Sequence, residues 1–370
     1  MPALFDKTTL KGLELKNRFV RSATWEGLAE ADGTCTTRLE HLVSDLAQGQ
    51  VGLIIGSHAF VTRQGQATPW QLGIERDACV APLARMVAAA HAHGSRIVAQ
   101  LAHAGRLTSR DLTGQPPLFL SPSAGKDPSE YQLATAADLR QLPGAFVAAA
   151  RRAREAGFDG IQLHAAHGYL LSQSLSPVFN KREDEYGGTP AKRARLLLET
   201  VAAVRKVVGD AYPLLVKLNC EDALDDGLSL EASLEIGRML QAAGVDAIEV
   251  SGGTLVSGPL SPSRVKIDSE AREAYFRAAA KQFKAALNIP IILVGGIRSP
   301  QLAERLLAEG VADYFSMSRP LIREPHLVKR WQAGDLRPAT CLSDNLCMKA
   351  AREGHGLHCV VEKRLMAKAH

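Results

Sequence analysis

No run of about 18 or more apolar residues occurs in the sequence, so no membrane-spanning helix is expected. The opening residues, Met1-Pro2-Ala3-Leu4-Phe5-Asp6, have neither the basic nor the apolar region of a signal peptide, and a cytoplasmic location is expected. Cysteine is scarce. Cys35, Cys79 and Cys220 stand alone and Cys341, Cys347 and Cys359 gather near the end, which is no disulfide framework for a secreted protein of this size, so reduced thiols are expected. Excess charge of one sign is missing too. The net charge is only +5, and the basic groups Arg151-Arg152-Arg154 and Lys192-Arg193-Arg195 sit in alanine-rich helical patterns that read as solvated faces; neither nucleic acid nor a membrane is an expected partner. Also absent is a Gly-x-Gly-x-x-Gly turn after a strand, which argues against a Rossmann domain for a nicotinamide cofactor.

What is present is apolar side chain in quantity, 46% of residues against 22% charged, enough for a large soluble core. Short apolar, β-branched runs recur at 18–23, 51–57, 96–101, 160–164, 214–218, 247–251, 289–294 and 312–317, and each is followed by a longer stretch of helical period. Leu83 to His91 and Ala232 to Ala243 are examples of the latter, with Gly94 and Gly244 placed as stops. Eight βα repeats close a barrel. The fold expected is therefore α/β, a (β/α)₈ TIM barrel over residues 1–335 with a short C-terminal extension over 336–370 that carries an incomplete cysteine cluster. A doubly wound open sheet would show the same alternation and is the alternative. Leu10-Lys11-Gly12-Leu13-Glu14-Leu15 predicts an N-terminal hairpin plugging the lower end of the barrel, and the Pro/Gly/Ser-rich stretch from Thr108 to Thr135 predicts a lid.

The densest polar cluster, His164-Ala165-Ala166-His167-Gly168-Tyr169, begins where the fourth strand ends, the face of a barrel that holds active sites. If the backbone turns sharply at Gly168, two imidazoles and a phenol point into one pocket. A His-x-x-His zinc site and two merely structural histidines are the competing readings; for the first, Glu183, Asp184 and Glu185 lie well downstream in a polar loop, and no metal is expected.

Ile161 to Leu171, Leu175-Ser176-Pro177 and Asn180-Lys181-Arg182-Glu183-Asp184-Glu185-Tyr186-Gly187-Gly188 together resemble the signature of the old yellow enzyme family. The resemblance continues through Asn17 to Ala23, Gln100 to Arg106, Gly295-Gly296-Ile297 and Ser318-Arg319-Pro320. It implies an FMN-binding barrel that takes hydride transiently from NADH or NADPH and reduces the activated C=C bond of an α,β-unsaturated carbonyl compound. On that resemblance His164 and His167 hold the carbonyl oxygen, and Tyr169 is the general acid for the α-carbon. Such a role suits an un-ionised phenol.

The resemblance further implies that Gln100 bonds the pyrimidine end of the flavin and that Lys217 faces its N1/O2 edge. Ser22, Ala23, Thr24, Trp25 and His58 line the ring, Gly295, Gly296, Ser318 and Arg319 hold the phosphate, and Trp25 also borders the substrate. A snorkelling surface lysine is the plain alternative for Lys217, and a weak turn signal for Gly295-Gly296. A helix starting near Ser299-Pro300 is expected to add its N-terminal dipole to the phosphate site.

Two departures stand out. Trp25 occupies a position where the family usually has a threonine or cysteine. In the tail, Asp344 stands where longer relatives, similar to dienoyl-CoA reductase, carry one of four cysteines for a [4Fe–4S] cluster; an intact cluster, a zinc site and an unoccupied remnant are the three readings of Cys341, Asp344, Cys347 and Cys359. Other readings of the whole are an FMN barrel with a different redox substrate or no turnover, and a phosphate-binding barrel without flavin. Relatives often form oligomers, so a homo-oligomer is possible on the resemblance.

Overall fold

The computed structural model describes residues 3–369, leaving Met1, Pro2 and His370 outside the described residues. Eight parallel strands pair in chain order and close on themselves. They are β1 (Phe19–Arg21), β2 (Leu53–Phe60), β3 (Arg96–Ala102), β4 (Gly160–Ala165), β5 (Leu214–Asn219), β6 (Ala247–Ser251), β7 (Ile291–Val294) and β8 (Tyr314–Met317). The pairing of Phe315 with Phe19, Ser316 with Val20 and Met317 with Arg21 joins the last strand to the first and rules out the open sheet. Every side chain of β4, β5 and β6 is buried, as expected of strands covered by helices outside and by packed residues inside.

The crossover helices form where apolar residues recur at helical spacing, the first being α1 (Thr37–Gln48). In α2 (Val80–His91), Leu83, Met86, Val87 and Ala90 are the buried stripe, and the chain turns out at Gly94, whose φ of +71° suits glycine. In α3 (Ala136–Glu155) Thr135 and Asp138 exchange side-chain-to-backbone hydrogen bonds in a capping box. The hairpin pairs Thr8–Leu10 with Leu13–Leu15 through a turn with positive φ at both Lys11 and Gly12. Leu10 and Leu15 pack with Val20, Leu53, Leu215 and Ile292 inside the barrel, so the hairpin does close its lower end. Each such leucine removed from water contributes roughly 1.5–3 kcal/mol.

Some boundaries differ from the sequence reading. Strands β7 and β8 start two residues later than expected: Pro290, just before β7, has no N–H to give to a ladder, and Asp313, just before β8, accepts from the Ile291 N–H at 2.8 Å, as Asp246 accepts from Leu214 at 2.9 Å and Asp159 from Ile97 at 2.8 Å. At the other end β2 runs on past Ser57 to Phe60, with a register irregularity between Ile55 and His58. The connection from Thr108 to Thr135, where a lid is expected, has structure of its own. It contains a turn of helix at Arg110–Thr113 and a parallel pair, Leu118–Phe119 with Gln132–Leu133, and Arg182 ties it down by donating to the carbonyls of Leu120 and Ala134.

Candidate active site

The upper ends of β2 and β4 deliver the aromatic and imidazole groups. His164 is in β4, and the chain then bends through His167 at φ +64° and Gly168 at φ +82°. A histidine in the left-handed region is unusual. It is held by its own N–H, which donates to Asn219 Oδ1 at 3.1 Å, and by a 2.8 Å bond between its Nε2 and the Ser251 hydroxyl. The bend brings the ring of Tyr169 within 4.5 Å of the His164 ring, centroid to centroid, and His164 within 5.2 Å of His167. The irregularity in β2 aims His58 into the same cluster, where its Nε2 lies 3.0 Å from the Tyr169 hydroxyl.

His58, His164 and Tyr169 are buried, His167 is half-buried, and all four are neutral at physiological pH. Burial, reinforced by Lys217 and Arg21, lowers His58 to about 4. Burial holds His164 and His167 well below the ordinary imidazole range, with Lys217 and the neighbouring histidines acting the same way. The same desolvation pushes the Tyr169 phenol above its usual range, so it keeps its proton across physiological pH. His164 Nδ1 is buried with no hydrogen-bond partner among the described residues. An unmatched polar atom of this kind costs on the order of 1–3 kcal/mol and marks a place where a ligand oxygen would be bound. His167 and Gly168 also border a small cavity of about 70 Å³ with Arg106, Phe179 and Thr254.

Below this cluster the strands carry a second polar layer. Lys217 is not a snorkelling surface lysine: it is 3% exposed, pairs in register with His164 on one side and Glu249 on the other, and donates to Ser22 Oγ at 2.7 Å. Gln100 is buried beside Gln162, its Nε2 donating to Gln162 Oε1 at 2.6 Å. Glu249 and Gln162 were not singled out in the sequence, although each is a polar residue between two apolar ones inside a strand, which is the signal that could have found them. Asn219, Ser251 and Gln173 were also missed; Gln173 donates to the carbonyls of Ala104 and Gly168, fixing the loops on either side of the cluster.

At the ends of β7 and β8, Gly295 (φ +133°) and Gly296 (φ +76°) lie against the Tyr275 ring, which a Cβ on Gly296 would meet at 2.8 Å. Arg319, 7% exposed, opens the short helix Arg319–Arg323 and donates to Asn345 Oδ1 at 2.8 Å. Thr24 reaches Ser318, hydroxyl to hydroxyl, at 2.7 Å. The helix dipole expected at this site is already spent: Glu273 accepts from the N–H groups of Arg298 and Ser299 at 2.7 and 2.9 Å and caps α7 (Pro300–Ala308), the crossover helix that follows α4 (Pro190–Val208), α5 (Leu230–Ala242) and α6 (Arg277–Ala286) in the chain.

Ala23 packs on the lower barrel core. Trp25 packs against Cys347, Ala351 and Leu357 of the tail, and its buried Nε1 finds no acceptor among the described residues. No group of three or more His, Cys, Asp or Glu among the described residues could hold a metal. Nor is any described helix long and apolar enough to cross a membrane.

Residues 3–336 match the NADH:flavin oxidoreductase / NADH oxidase family. The chain belongs to that family. It is 36% identical over 356 residues to an NADH oxidase of Thermoanaerobacter brockii, covering 93% of this chain but 53% of the relative, so it spans about half of that protein. It is 33% identical over 397 residues to a 4,4'-dithiodibutanoate disulfide reductase of Rhodococcus erythropolis, covering 99% of this chain and 97% of that one. Among solved structures, an old yellow enzyme homologue from Zymomonas mobilis superposes with a TM-score of 0.78 at 26% identity, covering 92% of this chain and 96% of that chain. As a flavin oxidoreductase of the old yellow enzyme family, the chain uses FMN and a nicotinamide donor. The residues present fit a flavin: a buried cation, a buried amide, an orphaned imidazole nitrogen and, at the ends of β7 and β8, a glycine pair and a buried arginine.

Proposed function

We propose that this flavin oxidoreductase reduces the activated C=C bond of α,β-unsaturated carbonyl compounds, with FMN held over Gln100 and Lys217 and its phosphate at Gly295, Gly296, Ser318 and Arg319. FMN supplies the hydride, taken from NADH or NADPH. The observation that carries the reading is the neutral Tyr169 phenol packed beside His164, whose Nδ1 lacks a partner, and His167. His164 and His167, both uncharged, offer N–H donors to a carbonyl oxygen, and donors aimed at a developing oxyanion in a site shut off from water are worth more than in solution. Tyr169 holds the proton that the α-carbon requires, at its hydroxyl oxygen. With its Nδ1 protonated, His58 accepts at Nε2 from that hydroxyl and keeps it oriented.

A second reading, reduction of an organic disulfide, is favoured by the likeness over nearly the full length of the Rhodococcus protein. Stopped-flow mixing separates the two: protein reduced by NADPH is offered 2-cyclohexenone or an aliphatic disulfide, and reoxidation by the enone is expected. Tyr169→Phe should leave reduction by the nicotinamide nearly intact and slow reoxidation by the enone roughly 10²-fold, the usual scale for loss of a general acid. Reoxidation by the disulfide alone, or a Tyr169→Phe variant slowed in the reductive half-reaction instead, would sink the proposal.

A further inference from the structure

Polar side chains from five of the eight strands, with Ser22 just past the end of β1, link into one hydrogen-bonded group inside the barrel, and Glu249 is its centre. The carboxylate is fully buried and accepts from Ser22 Oγ at 2.7 Å, Ser316 Oγ at 2.9 Å and Gln162 Nε2 at 3.0 Å, with Lys217 Nζ 3.2 Å away. Burial favours the neutral acid, but Lys217 and these donors outweigh it and hold the group below the ordinary carboxylate range. A carboxylate can only accept. Gln162 must therefore turn its NH₂ toward Glu249, which leaves its Oε1 facing Gln100, and Gln100 must donate its own Nε2. Gln100 keeps one N–H and its carbonyl oxygen unspent. That donor–acceptor pair is complementary to the C=O and N–H edge of a flavin pyrimidine ring.

We propose that Glu249 is the positioning residue for the flavin: through Gln162 it fixes which way the Gln100 amide faces, and through Lys217 it offsets the cation at the flavin's N1/O2 edge. The inference rests on FMN lying over Gln100 and Lys217, as proposed above. An uncharged group at 249 can itself donate to Gln162, so both amides are free to rotate, and a reversed Gln100 would leave the flavin N3–H without an acceptor. Lys217 would then stand uncompensated, favouring the anionic reduced flavin over the oxidised form.

The test uses FMN itself, with affinity from titration of the flavin-depleted protein and midpoint potential from dye-coupled reduction. Glu249→Gln should bind oxidised FMN more weakly and raise the ratio of reduced to oxidised affinity about tenfold, which is a positive shift of about 30 mV for a two-electron couple. Gln162→Leu cuts the amide relay and leaves the Lys217–Glu249 pair, so it should weaken FMN binding about tenfold with the wild-type potential. A merely structural Glu249 would not separate the two readouts. Glu249→Gln with wild-type potential overturns the proposal, and so does Gln162→Leu with wild-type affinity, a result that decides the matter even if Glu249→Gln does not fold. Wild-type protein that binds no FMN would instead refute the proposed function before either variant is made.

Discussion

His103 offers a test of the buried-imidazole chemistry that is independent of turnover. It is 2% exposed, its Nδ1 accepts from the Gly105 N–H at 3.0 Å, and burial lowers it from 6.5 to about 4. The folded value lies below the unfolded one, so between the two the unfolded chain binds a proton that the native state refuses. Stability from this residue is complete above pH 6.5, falls as the pH drops through that value, and stops falling below about 4. At pH 5 the loss works out at about 2 kcal/mol relative to pH 7.5, from about 1.4 kcal/mol per pH unit over the part of the window already crossed. His103→Asn keeps an acceptor near Gly105 and removes the titration; whatever it costs in packing is the same at both pH values and cancels. Urea unfolding of wild type and variant at pH 7.5 and pH 5, with FMN in equal excess, gives the difference directly. Wild type should lose about 2 kcal/mol more than the variant between the two. Equal losses would show that His103 is protonated in the fold without penalty, and the same argument for His58, His164 and His167 would go with it.

Arg319→Ala should weaken FMN by about 10- to 100-fold, the scale of a charge-assisted hydrogen bond worth about 1.5–3 kcal/mol, while leaving riboflavin, which lacks the phosphate, bound as before; equilibrium dialysis measures both. An equal loss for riboflavin would remove Arg319 from the phosphate site. His164→Ala should weaken binding of a para-substituted phenol about 10-fold or more, since a phenolate oxygen needs the same donor as a developing oxyanion. Titration of the long-wavelength charge-transfer band reads this, and wild-type affinity would contradict the role given to His164.

The barrel was legible because its cause is local. Eight apolar runs separated by amphipathic stretches leave parallel strands as the way to bury both kinds of surface, and the hairpin announced itself through Gly12 between alternating leucines. His164, His167 and Tyr169 were legible for a similar reason: they are neighbours in sequence, at the end of a strand whose upper face is where barrels do chemistry. What the chain order could not reveal is partnership across the barrel. Glu249 reads in sequence as one carboxylate in an apolar strand; only closure of the barrel, which sets β5 beside β6 and turns β8 and the end of β1 toward its interior, brings it Lys217, Ser316 and Ser22. Only the fold gives the start of α7 to Glu273, packs Trp25 on the tail and, through an irregularity in β2, turns His58 to the Tyr169 hydroxyl. Periodicity determines which face of an element is buried, because that depends on residues a few positions apart. Which group meets it there depends on residues far away in the chain, 227 positions in the case of Ser22 and Glu249, and is decided by the tertiary structure alone.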